Sequence, residues 1–244
     1  MNKDREMTYV GVDSCKAGWF AVTLTEQSNW KVNVFRDIYS LWNNCKDASL
    51  MLIDIPIGLV EKGSNERACD KEARKWLGSK RGTSVFPVPC RAAVYADVKE
   101  ASDINNKLTD RKLSKQALGI IPKIRQVDQL LTSNNSAKLR IREVHPELCF
   151  WAINYRKPMV FNKKDRRGIR ERKEVLFPRY PHCELMFKYA ERTYHRKDVA
   201  RDDILDAMVA AVTASKGEQV LITIPANPEI DSKGLPMEMV YYPI

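Results

Sequence analysis

Acidic residues stand in this chain where apolar strands and helices ordinarily exclude them. Asp13 closes the run Tyr9-Val10-Gly11-Val12, and Asp54 closes Leu50-Met51-Leu52-Ile53. Glu143 follows the β-prone stretch Leu139-Arg140-Ile141-Arg142, while Asp202, Asp203 and Asp206 open a helical run that reaches Ala214. A charge at the tip of a buried strand is costly unless it is paired or coordinated. Turn capping accounts for an Asp after a strand, and the first turn of a helix favours acids for its dipole. Acids gathered from several different elements point beyond capping, to carboxylates that hold a divalent metal.

The order of elements places these acids near one another. Thr8–Asp13 reads as a buried strand, Trp19–Thr25 as a second after the turn Ser14–Gly18, and Trp30–Phe35 as a third. Ile38 to Cys45 has room for a short helix, and Leu50–Ile55 is a fully apolar strand closed by Pro56 and Gly58. Tight turns make the first three strands an antiparallel meander, and the helix returns the chain to a strand parallel to the first. This β-β-β-α-β order is the core of the ribonuclease-H-like fold. The expected class is therefore α/β, a mixed five-stranded sheet with helices on both faces, in one domain over residues 1–244.

A helical, basic insertion is expected at about residues 60–136. Within it, Glu66–Leu77 and Leu113–Leu131 carry apolar stripes at helical spacing, with Pro122 expected to kink or divide the second. Lys138–Val144 reads as the fifth strand, with Ile141, Glu143 and His145 on one face, and Pro146 stops it or starts the short helix Glu147–Ile153. Helices at Pro181–Arg192 and Arg201–Ser215 and a last strand at Val220–Ile224 follow.

The net charge is +10, and all of the excess lies in the middle. Residues 1–60 hold 6 basic and 7 acidic side chains, residues 61–201 hold 33 and 17, and residues 202–244 hold 2 and 7. A basic middle between two acid-bearing segments suits a polyanion guided to metal ligands, although a solvated basic surface has the same composition. No apolar stretch is long enough to span a membrane, and the polar segment Met1–Met7 carries no secretory signal. The six cysteines form no CxxC pair and read as reduced thiols of a cytoplasmic protein. There is no GxxxxGK[ST] loop, no GxGxxG and no Gly-x-Ser-x-Gly elbow.

Taken residue by residue, Asp13 and Asp54 are neighbours by topology. Asp203 and Asp206 share a helical face, with Asp202 as a rival to Asp203, and Asp206 lies too far into the helix to cap it. Glu143, beside His145 and Glu147, is open to catalysis, metal binding or an ordinary strand role. Arg67, Arg74, Arg81 and Arg91 are candidate phosphate contacts, and the run from Arg156 to Lys173, with nine Lys or Arg, is a further basic surface.

Several of these segments together resemble the DUF429 family, described as predicted ribonuclease-H-like nucleases. They are Gly11-Val12-Asp13-Ser14-Cys15-Lys16-Ala17-Gly18-Trp19, Asp54-Ile55-Pro56-Ile57-Gly58-Leu59, Arg67-Ala68-Cys69-Asp70, Ser84-Val85-Phe86-Pro87, Leu113-Ser114-Lys115-Gln116, Glu143-Val144-His145-Pro146-Glu147 and Asp202-Asp203-Ile204-Leu205-Asp206-Ala207. Ser14 and Ala17 stand where glycines are expected, which tightens the turn after Asp13 without removing an acid. The resemblance implies a metal site of Asp13, Asp54, Asp203 and Asp206. The expected activity is a metal-dependent phosphodiesterase on nucleic acid, with Asp13, Asp54, Asp203, Asp206 and Glu143 as catalytic candidates and two Mg²⁺ or Mn²⁺ ions. The alternative is a non-catalytic module of the same fold that binds a nucleotide, a phosphorylated small ligand or a nucleic-acid structure.

Overall fold

A computed structural model describes residues 6–244; residues 1–5 of the polar N-terminal stretch lie outside the described residues. The chain runs β1 (Thr8–Cys15), β2 (Gly18–Thr25), β3 (Trp30–Phe35), α1 (Ile38–Cys45) and β4 (Leu50–Ile53). Five helices follow: α2 (Ala68–Arg81), α3 (Arg91–Tyr95), α4 (Val98–Thr109), α5 (Lys115–Ser133) and α6 (Asn135–Lys138). Then come β5 (Ile141–Glu143), α7 (Pro146–Ile153), α8 (Arg166–Leu176), α9 (Cys183–Thr193), α10 (Arg201–Ala214), β6 (Ile222–Ile224) and β7 (Met239–Tyr241).

The first five strands form one mixed sheet in the order β3-β2-β1-β4-β5. The β1–β2 and β2–β3 pairs are antiparallel, while β4 runs parallel to both β1 and β5. This is the connectivity expected from the β-β-β-α-β reading. The last predicted strand instead joins β7 in a separate two-stranded sheet, tied to the main one by a bridge between Val144 and Val240. Helix α8, within the most basic stretch, was not anticipated. Helix α5 continues through Pro122 as a single element, with the proline on its exposed side, so the expected division does not occur.

Period-two alternation sorts the strand residues onto two faces. Tyr9, Cys15, Phe20, Val22, Leu24, Leu50 and Leu52 pack with α7, α8, α9 and α10 in one core. Val10, Val12, Met51, Ile53 and Ile141 pack on the other face with α1 and α5. The first core is built on close approach. A Cβ on Gly11 would lie 2.0 Å from the backbone N of Ala211 and 2.3 Å from the O of Ala207. The glycine lets α10 lie directly on β1, with Ala207, Ala210 and Ala211 as its buried small residues. No helix among the described residues is long and apolar enough to cross a membrane, and all six cysteines are free and buried.

Candidate metal centre

The contact between Gly11 and α10 sets the site. Asp13 lies two residues along β1 from Gly11, on the same face, and Asp206 immediately precedes Ala207 on α10. Asp54 follows Ile53 at the end of β4, and its N–H donates to the carbonyl of Val12 over 2.9 Å, which extends the parallel ladder and sets Asp54 beside Asp13. One carboxylate oxygen from each of Asp13, Asp54 and Asp206 lies within 4.8 Å of the other two. Asp13 and Asp206 are buried, Asp206 to 1% exposure, and Asp54 keeps partial access to solvent.

The electrostatics of the centre are unfavourable for three bare anions. Burial, then the carboxylates of Asp54 and Asp206, hold the Asp13 carboxyl well above its ordinary range. Burial pushes Asp54 up to about 7, with Lys163 opposing the shift and Asp206 and Glu147 adding to it. Among the described residues the one cation in contact is Lys163, whose Nζ lies 2.5 Å from Asp206 Oδ2. Burial draws its ammonium down, but the attraction of Asp206, Asp13 and Asp54 outweighs this and raises it. The other oxygen of Asp206, Oδ1, is buried and finds no hydrogen-bond partner in the protein. Buried polar atoms are almost always satisfied, so an orphaned carboxylate oxygen inside a triad of acids marks a place for a cation. An all-oxygen donor set fits a hard divalent ion such as Mg²⁺ or Mn²⁺.

Two further groups border the centre. Glu147, in the first turn of α7, accepts a hydrogen bond from Arg172 at Oε1, and its Oε2 is buried without a partner among the described residues. His145, just before α7, has a buried Nδ1 without a partner, and burial lowers its pKa against the pull of Glu147. The sequence hinted at both through the Glu143–Glu147 motif, and at Lys163 only as one cation among nine.

Other candidates are placed elsewhere. Asp203 is not one of the three converging acids: its Oδ2 accepts the N–H of Ala200 over 2.9 Å and so caps α10. Burial lifts its carboxyl to about 6 against that bond. Glu143 pairs in register with Ile53, so its side chain leaves the sheet on the face opposite α10. There it accepts the N–H of Ile57 (2.6 Å) and two bonds from Arg67 (both 2.7 Å). The structure therefore places Glu143 in a network with Arg67 and not among the converging acids, because β5 turns it away from Asp13.

Arg67, only 2% exposed, is consumed by Glu143, by Asp70 (2.6 and 3.1 Å) and by the carbonyl of Ile57 (2.9 Å). Arg91 is likewise held by Asp128, Asp231 and Glu61. Both guanidiniums are thus engaged by protein carboxylates instead of facing solvent. Arg74 binds Glu66 and the carbonyl of Val85, which fastens the loop after α2. Arg81 donates to the carbonyls of Met159 (2.9 Å) and Val160 (2.8 Å), and so braces the segment that carries Lys163.

A family model described as a protein of unknown function (DUF429) matches residues 11–230, most of the chain, with Asp13, Asp54, Asp206 and Lys163 inside the match. The chain belongs to the DUF429 family. No curated protein and no solved structure matches it. The converging acids of this DUF429 protein therefore have to be read from their own chemistry.

Proposed function

We propose that this DUF429 protein is a metal-dependent phosphodiesterase acting on nucleic acid. The observation that carries the reading is the convergence of Asp13, Asp54 and Asp206 around a buried, unpartnered carboxylate oxygen. Asp13, Asp54 and Asp206 would hold a divalent ion, Mg²⁺ or Mn²⁺. When bound, such an ion polarises a phosphoryl oxygen and lowers the pKa of a coordinated water.

The chain's own residues supply the rest. The buried walls of β1 and α10 keep the acids fixed and limit competing water around Asp13 and Asp206. Asp54, at the partly exposed side of the centre, marks the direction from which a phosphate enters. Lys164, Arg166 and Arg167 follow Lys163 directly and are exposed, so a basic rim adjoins the acidic centre and suits a polyanionic backbone. In the overall reaction the oxygen of water bonds to phosphorus, one P–O ester bond breaks, and the leaving oxygen takes up a proton. The products are a phosphomonoester and an alcohol. The six buried free thiols suit a reducing compartment, in keeping with a cytoplasmic nuclease.

The test is incubation of the purified protein with end-labelled single- and double-stranded DNA and RNA, with Mg²⁺ or Mn²⁺ and with EDTA. Cleavage that needs the ion and is lost in Asp13→Asn supports the reading, and cleavage that survives Asp13→Asn refutes it. Tight binding without cleavage and with a shallow salt dependence identifies the centre as a binding site for a small phosphorylated ligand instead.

A further inference from the structure

We infer that Lys163 is the second cation of the acidic centre: the site takes one divalent ion, and the Lys163 ammonium stands in place of a second and contacts the substrate phosphate. This inference rests on the metal-dependent reading above and specifies how many ions that reading requires.

Charge is the first support. When ionised, the three converging acids carry three negative charges. The neighbouring Glu147 is offset by Arg172, and Asp203 by the N-terminus of α10. Lys163 supplies one positive charge at 2.5 Å from Asp206. A deficit of two remains, the charge of one divalent ion. Two such ions together with Lys163 would leave the buried centre with a surplus of two, which is costly in a region that excludes water.

The second support is how firmly Lys163 is presented. The segment before it is fixed from several directions. Glu171 accepts the N–H groups of Val160 (2.7 Å) and Phe161 (3.0 Å), Arg81 holds the carbonyls of Met159 and Val160, and Arg172 donates to the carbonyl of Phe161 (3.2 Å). On the other side, Gly168 of α8 approaches so closely that a Cβ there would lie 1.8 Å from the carbonyl O of Asn162. A lysine that merely shielded the acids and left on metal binding would need a segment free to swing away. This one is braced, so the ammonium stays beside Asp206 when the ion arrives. Its side chain is 35% exposed against 1% for Asp206, so the ammonium meets the buried carboxylate on a side chain that itself stays partly open to the substrate side.

The experiment is a Mn²⁺ titration of the full chain followed by equilibrium dialysis, together with electron paramagnetic resonance of the bound ion. The wild type should bind one ion per chain with a mononuclear spectrum. Lys163→Met should bind two, with the spectrum of an exchange-coupled pair, and Lys163→Arg should return to one. Two ions in the wild type overturn the inference, as does one ion in both the wild type and Lys163→Met. Should Lys163→Met fail to fold, the mononuclear or coupled spectrum of the wild type decides alone. A wild type that binds no Mn²⁺ overturns the metal-dependent reading itself, which separates the two failures. If cleavage is found, Lys163→Met should lower kcat by about 10²-fold, the scale of losing one charge-stabilising group, with Lys163→Arg recovering part of it.

Discussion

Removing one acid from the centre should stabilise the metal-free protein, and Asp54→Asn is the cleanest way to see it. The Asp54 carboxyl is raised from its ordinary 3.8 to about 7, first by burial and then, against Lys163, by Asp206 and Glu147. Below about pH 4 the folded and unfolded chains are both protonated at this position and it costs nothing. Between about pH 4 and 7 the unfolded chain ionises while the folded one holds its proton, so stability falls as pH rises, and above about 7 the full cost is present. A displacement of that size at about 1.4 kcal/mol per pH unit amounts to about 4 kcal/mol, and the solvent access of Asp54 reduces this to about 2 kcal/mol. Unfolding in urea with EDTA, at pH 5 and pH 8, measures it directly. Part of this cost is already present at pH 5, so relative to Asp54→Asn the wild type should lose about 1 kcal/mol between the two pH values, equivalent to about 2–4 °C in Tm for a chain of this size. Adding Mn²⁺ at about 100 times its Kd should restore about 2.7 kcal/mol to the wild type and far less to the variant. An Asp54→Asn protein less stable than wild type in EDTA at pH 8 would show that the acids are satisfied without metal and would refute the reasoning.

Further perturbations separate the centre from the scaffold. Asp13→Asn should abolish ion-dependent cleavage and leave the far-UV circular dichroism spectrum unchanged, since it exchanges one buried side chain for another of the same shape. Gly11→Ala drives a Cβ to 2.0 Å from the backbone of α10. It should cost about 3 kcal/mol and, by moving Asp206 away from Asp13, weaken Mn²⁺ binding at least tenfold in a titration. Glu143→Gln leaves Arg67 partly unpaired in a buried site and should destabilise by about 3–5 kcal/mol in urea unfolding, yet a titration of the folded variant should still find one Mn²⁺ per chain. For nucleic-acid binding, the logarithm of affinity against that of salt should be steep, and charge reversal at Arg166 and Arg167 together should flatten it by about two phosphate contacts.

The sequence made the sheet legible because its signals are local. Apolar runs of four to eight residues, tight turns and the return helix fix the strand order, and that order alone brings Asp13 and Asp54 together. Asp206 was legible for a different reason: a full turn into a helix it has no capping role, and the alanines after it mark a buried face. Glu143 stays open in the sequence because alternation gives which residues share a face but not which face is which. The register that pairs Glu143 with Ile53 turns it towards Arg67, and that register depends on contacts nearly ninety residues apart in the chain. The partners of the arginines are hidden for a related reason. Arg67 and Arg91 look like surface cations in a basic stretch, and only the tertiary structure brings Glu143, Asp128 and Asp231 to meet them. Lys163 was one of nine equivalent cations until the fold brought its loop over α10.

The buried acids of this protein therefore divide into two kinds, and the division bears on function. Glu143, Asp70, Asp128 and Asp231 each meet an arginine, and together with Arg67 and Arg91 they close networks in which carboxylate and guanidinium answer one another. Such networks fasten the segment after β4 to the sheet and to the C-terminal region. Asp13, Asp54 and Asp206 share a single lysine among three carboxylates, and an oxygen of Asp206 remains orphaned. A scaffold that places arginines against Glu143, Asp70, Asp128 and Asp231 had the means to satisfy these three as well. That it supplies one ammonium, held by a braced loop, leaves a defined negative deficit at the one place where the sheet end and the basic rim meet. On the proposed reading that deficit is filled by a single divalent ion, which would set this centre apart from a core built only of answered charges.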